Sequence, residues 1–170
     1  MVDSKDSGNG NVGAPPAGSQ QVQIQARVLG QYIKDLSFEN PNVHKMLGGP
    51  GDKPNLRVEF NVNATKVADN VFESAILFKA EAANKAGVIY DMELAYAGLF
   101  QIENMPDQAL EPFLLINCPA LLFPFLRRLV ADLTREGGFP PLLLDPIDFA
   151  GLYVKRQQEK GGQPAQPPVN

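Results

Sequence analysis

Leu56-Arg57-Val58-Glu59-Phe60-Asn61-Val62-Asn63 alternates apolar and polar side chains without a break. A period of two belongs to a strand with one face on a core and the other in water, so Leu56, Val58, Phe60 and Val62 are predicted to point inward. Working downstream, Val71 to Ala83 and Val88 to Phe100 keep a strand-like composition. They are joined by Asn84-Lys85-Ala86-Gly87, whose Asn and Gly suit the positive φ angles of a tight hairpin. Working upstream, Val22, Ile24, Ala26 and Val28 share one face of a first strand that runs on past Gly30 to Phe38. A glycine inside a strand pattern marks a bulge there. Four strands in succession predict an antiparallel meander.

Between the first two strands, residues 39 to 55 carry three prolines and three glycines and read as a long loop of the kind that tends to be functional. Beyond Met105 the period changes. Pro106-Asp107 opens a helical region that Pro112, Pro119 and Pro124 should break into pieces. A sustained 3.6-residue period follows, with Leu122, Phe125, Leu126, Leu129, Val130 and Leu133 on one stripe and Gly137 as the stop. Residues 139 to 146 are extended by their prolines. Asp148 can cap a last helix bearing Phe149, Leu152 and Tyr153. Residues 1 to 20 and 159 to 170, poor in large apolar side chains, are expected to be disordered tails around one domain at 21 to 158. The fold class is therefore α+β, a four-stranded antiparallel sheet with two main helices on one side.

Composition narrows the function. Of 170 residues 44% are hydrophobic and 20% charged, which fits a globular domain and excludes a disordered or coiled-coil chain. A net charge of −4, with no basic cluster longer than Arg127-Arg128, leaves no footprint for nucleic acid or an anionic membrane. Between residues 56 and 103, Arg57, Lys66, Lys79 and Lys85 are outnumbered by Glu59, Asp69, Glu73, Glu81, Asp91, Glu93 and Glu103. The exposed sheet face is expected to be acidic. One cysteine and one histidine supply neither a disulfide nor a Cys/His zinc site, and no metal or cofactor is implied. Lacking an apolar leader at Met1 to Gly8, the chain is expected in the cytoplasm.

Motifs of catalysis fail on context. Gly8-Asn9-Gly10-Asn11-Val12-Gly13 has the spacing of a dinucleotide fingerprint, but no strand precedes it and no helix follows. His44 has no second ligand, Cys118 no adjacent base, and Asp148 of the Asp145/Asp148 pair is needed as a cap. Asn63-Ala64-Thr65 is a formal glycosylation sequon without meaning in a chain that is never exported. What remains is an excess of apolar side chains on the helical segment, each worth about 2 kcal/mol when taken out of water. That surplus favours binding and self-association, with Leu122, Phe125, Leu126 and Leu129 as the expected oligomer interface.

Cys118-Pro119-x-x-Leu122-Phe123-Pro124-Phe125, then Gly138-Phe139-Pro140, then Leu142-x-Leu144-x-Pro146-Ile147-Asp148-Phe149-x-x-Leu152-Tyr153, resembles the SecB family of protein-export chaperones. The resemblance continues upstream in Tyr32-Ile33-Lys34-Asp35-Leu36-Ser37-Phe38-Glu39-x-Pro41-Asn42, in Ala68-Asp69-Asn70-Val71-Phe72-Glu73 and in Tyr96-Ala97-Gly98-Leu99-Phe100, and covers about residues 22 to 158. It implies a homotetramer, a dimer of dimers, that holds unfolded secretory precursors without ATP and delivers them to SecA, with no enzymatic reaction. It places the client groove at Val43, Met46, Leu47, Leu56, Val58, Phe60, Leu152 and Tyr153. It assigns SecA docking to Asp35, Glu39 and Glu93. Asp91 stands where the family often has an apolar residue, and the tryptophan frequent in the family's groove loop is absent. Alternatives are a SecB-like chaperone of a toxin-antitoxin system and a small-ligand binder housed between the long loop and the last helix.

Overall fold

A computed structural model describes residues 23–46, 48 and 53–161. The rejected dinucleotide-like motif at residues 8 to 13, Val22 and Leu47 lie outside the described residues, as does the side chain of Met46. Four strands form the sheet: β1 (Gln25–Glu39), β2 (Asn55–Ala68), β3 (Val71–Asn84) and β4 (Gly87–Glu103), all pairs antiparallel. Their order is β1-β4-β3-β2. The expected meander holds for β2 to β4, and β1 departs from it, lying against β4 at the opposite edge from β2. Residues 40 to 54 are long enough to pass the β3–β4 hairpin end, where Asn42 Nδ2 donates to Val88 O at 2.9 Å. A tight turn would have forced β1 against β2; the long connection gives a Greek-key order instead.

β1 carries two irregularities, one between Val28 and Gly30 and one between Ile33 and Asp35. Gly30 therefore adjoins a bulge, as its position suggested, and the second, at Lys34, has no glycine to announce it. At the β3–β4 turn Gly87 takes φ 120°. Asn84 does not adopt a positive φ; its Oδ1 accepts the Ala86 N–H at 2.8 Å, an Asx-type turn.

The helical region is one continuous run in which α1 (Asp107–Pro112) passes through a π turn (Phe113–Asn117) into α2 (Cys118–Glu136). The expected breaks at Pro112, Pro119 and Pro124 do not occur. Instead the winding loosens for one turn, and Cys118 N–H bonds Phe113 O. That choice leaves Leu114 O without its ordinary donor, and Pro119 has no N–H to offer. Ser74 on β3, wholly buried, donates its hydroxyl to Leu114 O at 2.8 Å. The widened turn and the buried serine thus explain each other.

By length and composition the run from Asp107 to Glu136 is apolar enough to cross a membrane. Here it lies over β3 and β4, with Cys118, Leu122, Leu126 and Val130 wholly buried. Gly98 of β4 permits that approach, because a Cβ there would stand 2.8 Å from Leu122 Cδ2. Thr134 Oγ1 bonds Val130 O and accepts the Leu142 N–H at 2.9 Å, fixing the extended return segment to α2. Asp148 Oδ1 caps α3 (Phe149–Gly161) by accepting the Gly151 N–H at 2.9 Å. α3 continues through Gly161, so residues 159 to 161 belong to the folded domain and not to the tail expected from residue 159.

Candidate client groove and acidic face

The sheet has two chemically different faces. Val58, Phe60 and Val62 of β2, Ile76 and Phe78 of β3, and Met92, Leu94 and Tyr96 of β4 turn to the helices and form the core. Phe60 stacks obliquely on Phe78, 5.1 Å between centroids, and reaches Phe123 of α2 at 6.3 Å; Phe123 in turn meets Phe149 of α3 at 6.0 Å. This aromatic chain draws α3 toward the β2 edge, and a groove of about 710 Å³ there continues past β2 to Lys79 of β3, Glu93 and Ala95 of β4 and Asp35 of β1.

Phe60, Leu152 and Tyr153, expected in a client groove, line it together. Leu152 keeps 37% of its surface exposed, enough to offer an apolar contact. Val58 and Leu56 lie further along the same face of β2, two and four residues before Phe60, and Leu56 is 41% exposed. Val43, in a one-turn helix at Val43–Met46, is exposed but does not line the groove. Residues missed by sequence reasoning include Val62, Leu115, Asn61 and Arg156. Val62 belongs to the same alternation as Phe60 and could have been included on that signal. Leu115 projects from the π turn, which no helical period foretells.

The outer face is charged toward the β3–β4 hairpin and apolar further along, at Ala75, Leu77, Ala95, Ala97 and Leu99, and register brings the three expected docking acids together. One row across the sheet reads Glu39, Asp91, Glu81, Arg57; the next reads Ser37, Glu93, Lys79, Glu59; the third begins Asp35, Ala95. Glu59 and Glu81 enlarge the acidic surface beyond Asp35, Glu39 and Glu93. Lys79 Nζ meets Glu93 at 2.6 Å, and that bond, with the charge of Asp91 next, raises the lysine pKa. Asp91 faces Glu39 and Glu81 across the strands, and its Oδ1 is buried with no hydrogen-bond partner. Like charges opposite one another on a sheet are destabilising, so Asp91 is held there by the fold at a cost.

Further along this face, Tyr32 reaches across β4 over its register partner Ala97 and donates to Glu73 on β3, while Lys34 Nζ meets the other oxygen of Glu73 at 2.5 Å. The bond to Glu73, with burial and the carboxylate charge, pushes the Tyr32 hydroxyl up to about 12. Hydrogen bonds from Lys34 and then Tyr32 hold Glu73 below the usual carboxylate range. The same network pins β1 at its second bulge. Cys118, expected to be a small buried hydrophobe, is wholly buried beside the π turn, and burial pushes its thiol up to about 12, away from reactivity.

The expected oligomer interface needs revision. Leu122 and Leu126 are wholly buried in the protomer's own core and offer nothing to a second copy; Leu129 is half-buried and Phe125 is 48% exposed. The outward apolar residues of α2 are Leu121 and Phe125, and Phe125 stacks on Tyr96 at 6.4 Å, next to the exposed Ile33 and Leu36 of β1. The stripe had been phased to one face, whereas α2 is apolar on both.

Comparison with known proteins agrees with this architecture. The family profile described as preprotein translocase subunit SecB matches residues 19–160. A protein-export protein SecB of Parvibaculum lavamentivorans is 47% identical over 155 residues, 91% of this chain and 92% of its own. Its counterpart in Rhodopseudomonas palustris strain BisB18 is 45% identical over 157 residues, 92% and 94% of the two chains. Among solved structures, the Mycobacterium tuberculosis SecB-like chaperone Rv1957, in complex with a peptide from the HigA1 antitoxin, superposes with a TM-score of 0.58 at 19% identity, covering 72% of this chain and 90% of that one, and so shares the fold. With the profile and its curated relatives both aligned over most of their length, the chain belongs to the SecB family of protein-export chaperones.

Proposed function

We propose that this protein holds unfolded secretory precursors in an export-competent state without ATP, as a cytoplasmic homotetramer built as a dimer of dimers, and passes them to SecA. The observation that carries the reading is the groove beside β2 and α3, where Phe60, Leu115, Leu152 and Tyr153 offer apolar contacts among the charged residues Lys155, Arg156 and Glu159. Each groove grips a few side chains at about 2 kcal/mol apiece. Four grooves on one particle turn such weak contacts into firm retention, because a second segment of a tethered client binds at an effective concentration near millimolar. A chain that has folded hides those segments and is ignored. Release falls to a competitor, and the outer face with Asp35, Glu39 and Glu93 is the assigned SecA contact.

Open apolar surface on β1 and α2 supports self-association: Ile33 and Leu36 of β1 and Leu121 and Phe125 of α2 are all exposed. The toxin-antitoxin reading has a fold relative in its favour, but the curated relatives at 45–47% identity are named for export, which favours the first reading.

The test is suppression of aggregation of a denatured precursor at near-stoichiometric tetramer with no nucleotide. Reversal of Glu39 to Lys, at the one docking acid that does not line the groove, is expected to weaken SecA binding about ten-fold or more while client binding survives. Equal loss of both would overturn the division of labour between the two faces.

A further inference from the structure

On the outer face the groove takes in Glu93, Lys79 and Glu59, which stand side by side on β4, β3 and β2. The two acids belong to opposite halves of the proposed cycle: Glu93 is an assigned SecA contact, and Glu59 is the neighbour of Phe60 at the groove rim. Lys79 stands directly opposite both, and such cross-strand neighbours have Cβ atoms about 5 Å apart. Its flexible four-carbon stem can serve either carboxylate. In the structure Nζ meets Glu93 at 2.6 Å, whereas Glu59 acts on it through charge alone. The choice has a cause. Asp91 lies beside Glu93 on β4 and its charge also draws the ammonium, so two carboxylates on that strand outweigh one on β2. The pair is 45% and 55% exposed, and pairs so exposed are weak enough to exchange. Arg57, the other cation at this corner, is turned to Glu81 at 4.0 Å.

We infer that Lys79 couples the two sites: a cation of the docking partner that takes Glu93 sends the Lys79 side chain to Glu59, and the arriving ammonium evicts a basic side chain of the client from the groove rim. This deepens the holding-and-delivery reading above, as the regulation of its groove, and rests on it. At rest Glu59 offers a negative charge next to Phe60, a pairing that suits a client segment with basic residues among apolar ones. Neutralising Glu93 removes the bond that keeps Lys79 on the β4 side. Asp91 then remains as a diagonal neighbour, about 7 to 8 Å away, whereas Glu59 is directly opposite. The exchange is reciprocal, as any coupling between two binding sites must be: a client held on Glu59 keeps Lys79 on Glu93 and so weakens docking. One cation shared by two acids thus makes grip and docking alternatives, with no movement of the backbone. Neutral clients escape the coupling, since nothing in them competes with Lys79.

The experiment uses the full chain and two acetylated, amidated ten-residue peptides of alternating leucine and serine, one with two serines replaced by lysine and one with the same two replaced by glutamine. Glu93→Gln imitates the neutralisation that docking brings. It should weaken the lysine peptide about three-fold and leave the glutamine peptide within about 1.5-fold. Mere loss of a nearby negative charge predicts a weakening too, and the double variant separates the two causes: with Lys79→Gln also present, Glu93→Gln should lose its effect on the lysine peptide. An effect that persists unchanged in the Lys79→Gln background overturns the coupling, as does no effect of Glu93→Gln at all. Glu59→Gln should erase the preference for the lysine peptide; a surviving preference places the client's cation elsewhere and overturns the eviction. On the docking side, Lys79→Gln should bind SecA about three-fold tighter, because it removes a competitor for Glu93, and unchanged or weaker binding overturns the exchange. Failure of both peptides to bind the unaltered chain strikes the client-holding reading itself, and the coupling with it.

Discussion

The two edges of the sheet are treated in opposite ways. β2 is closed off: α3 runs beside it, Arg156 and Asn61 occupy the backbone of Val62, and Phe60 and Val62 are drawn into the core. β1 is left open. Ile24, Val28, Leu29, Ile33 and Leu36 are each at least 40% exposed. An open edge bearing apolar residues is an aggregation hazard unless something occupies it. The contrast teaches that one edge is occupied by the protein's own side chains, whereas the other offers the apolar surface on which the self-association proposed above would rest.

The largest expected effect strikes the open side. If the proposed tetramer forms, charging Ile33 and Phe125 together, as Ile33→Asp with Phe125→Asp, should lower the mass seen by light scattering from about four times 18.5 kDa to one or two protomers. Unchanged mass would show that the assembly is built elsewhere. Next comes the anchor of β1. Glu73→Gln should cost about 2 kcal/mol in denaturant unfolding, since it removes the ion pair with Lys34 and weakens the bond from Tyr32, and amide exchange in β1 should quicken while β2 stays protected.

The pH response follows from the same network. Glu73 has a folded pKa below its unfolded one, so its contribution is present at neutral pH and lost as pH falls through the carboxylate range. Tyr32 is raised instead, so its contribution is present below pH 10 and lost as pH climbs from 10 toward about 12. A Glu73→Gln protein should lose the acid-side contribution of this group, as measured by unfolding across pH 3 to 7.

Arg156→Gln on the closed side is expected to cost about 1 kcal/mol, with faster exchange in β2 and none of the change in β1. A larger loss would make the cap structural. The smallest effect has the opposite sign: Asp91→Leu should raise stability by about 0.5 kcal/mol, because it removes a carboxylate set between Glu39 and Glu81 with one buried oxygen unpartnered.

Much of this was legible in the sequence where period and parity speak. The alternation at Leu56–Asn63 placed Phe60 on the inner face, the Asp148 cap was read in advance, and the acidic bias of the exposed sheet appeared as a count of charges. Strand order was not legible, because loop length permits β1 to pair on either side and no local signal chooses. The π turn escaped notice for a different reason. Three prolines look like breaks when each is judged by its missing N–H alone, and only Ser74, forty residues away, reveals how the freed carbonyl is satisfied. The groove was half visible: side chains on regular elements were found, whereas Arg156 and Asn61 matter through backbone groups that side-chain patterning ignores.

The widened turn at Phe113–Asn117 also works as a phase adjuster for everything after it. Each residue advances a helix by about 100°, so trimming one residue from that turn would rotate α2 by the same angle relative to α1. Leu122 and Leu126 would swing into the outward places now held by Leu121 and Phe125, and Arg127 would be driven into the place of Leu126 against the sheet. Which oily stripe of the helix is spent inside the protomer, and which is shown to the outside, is thus decided by a single surplus residue upstream.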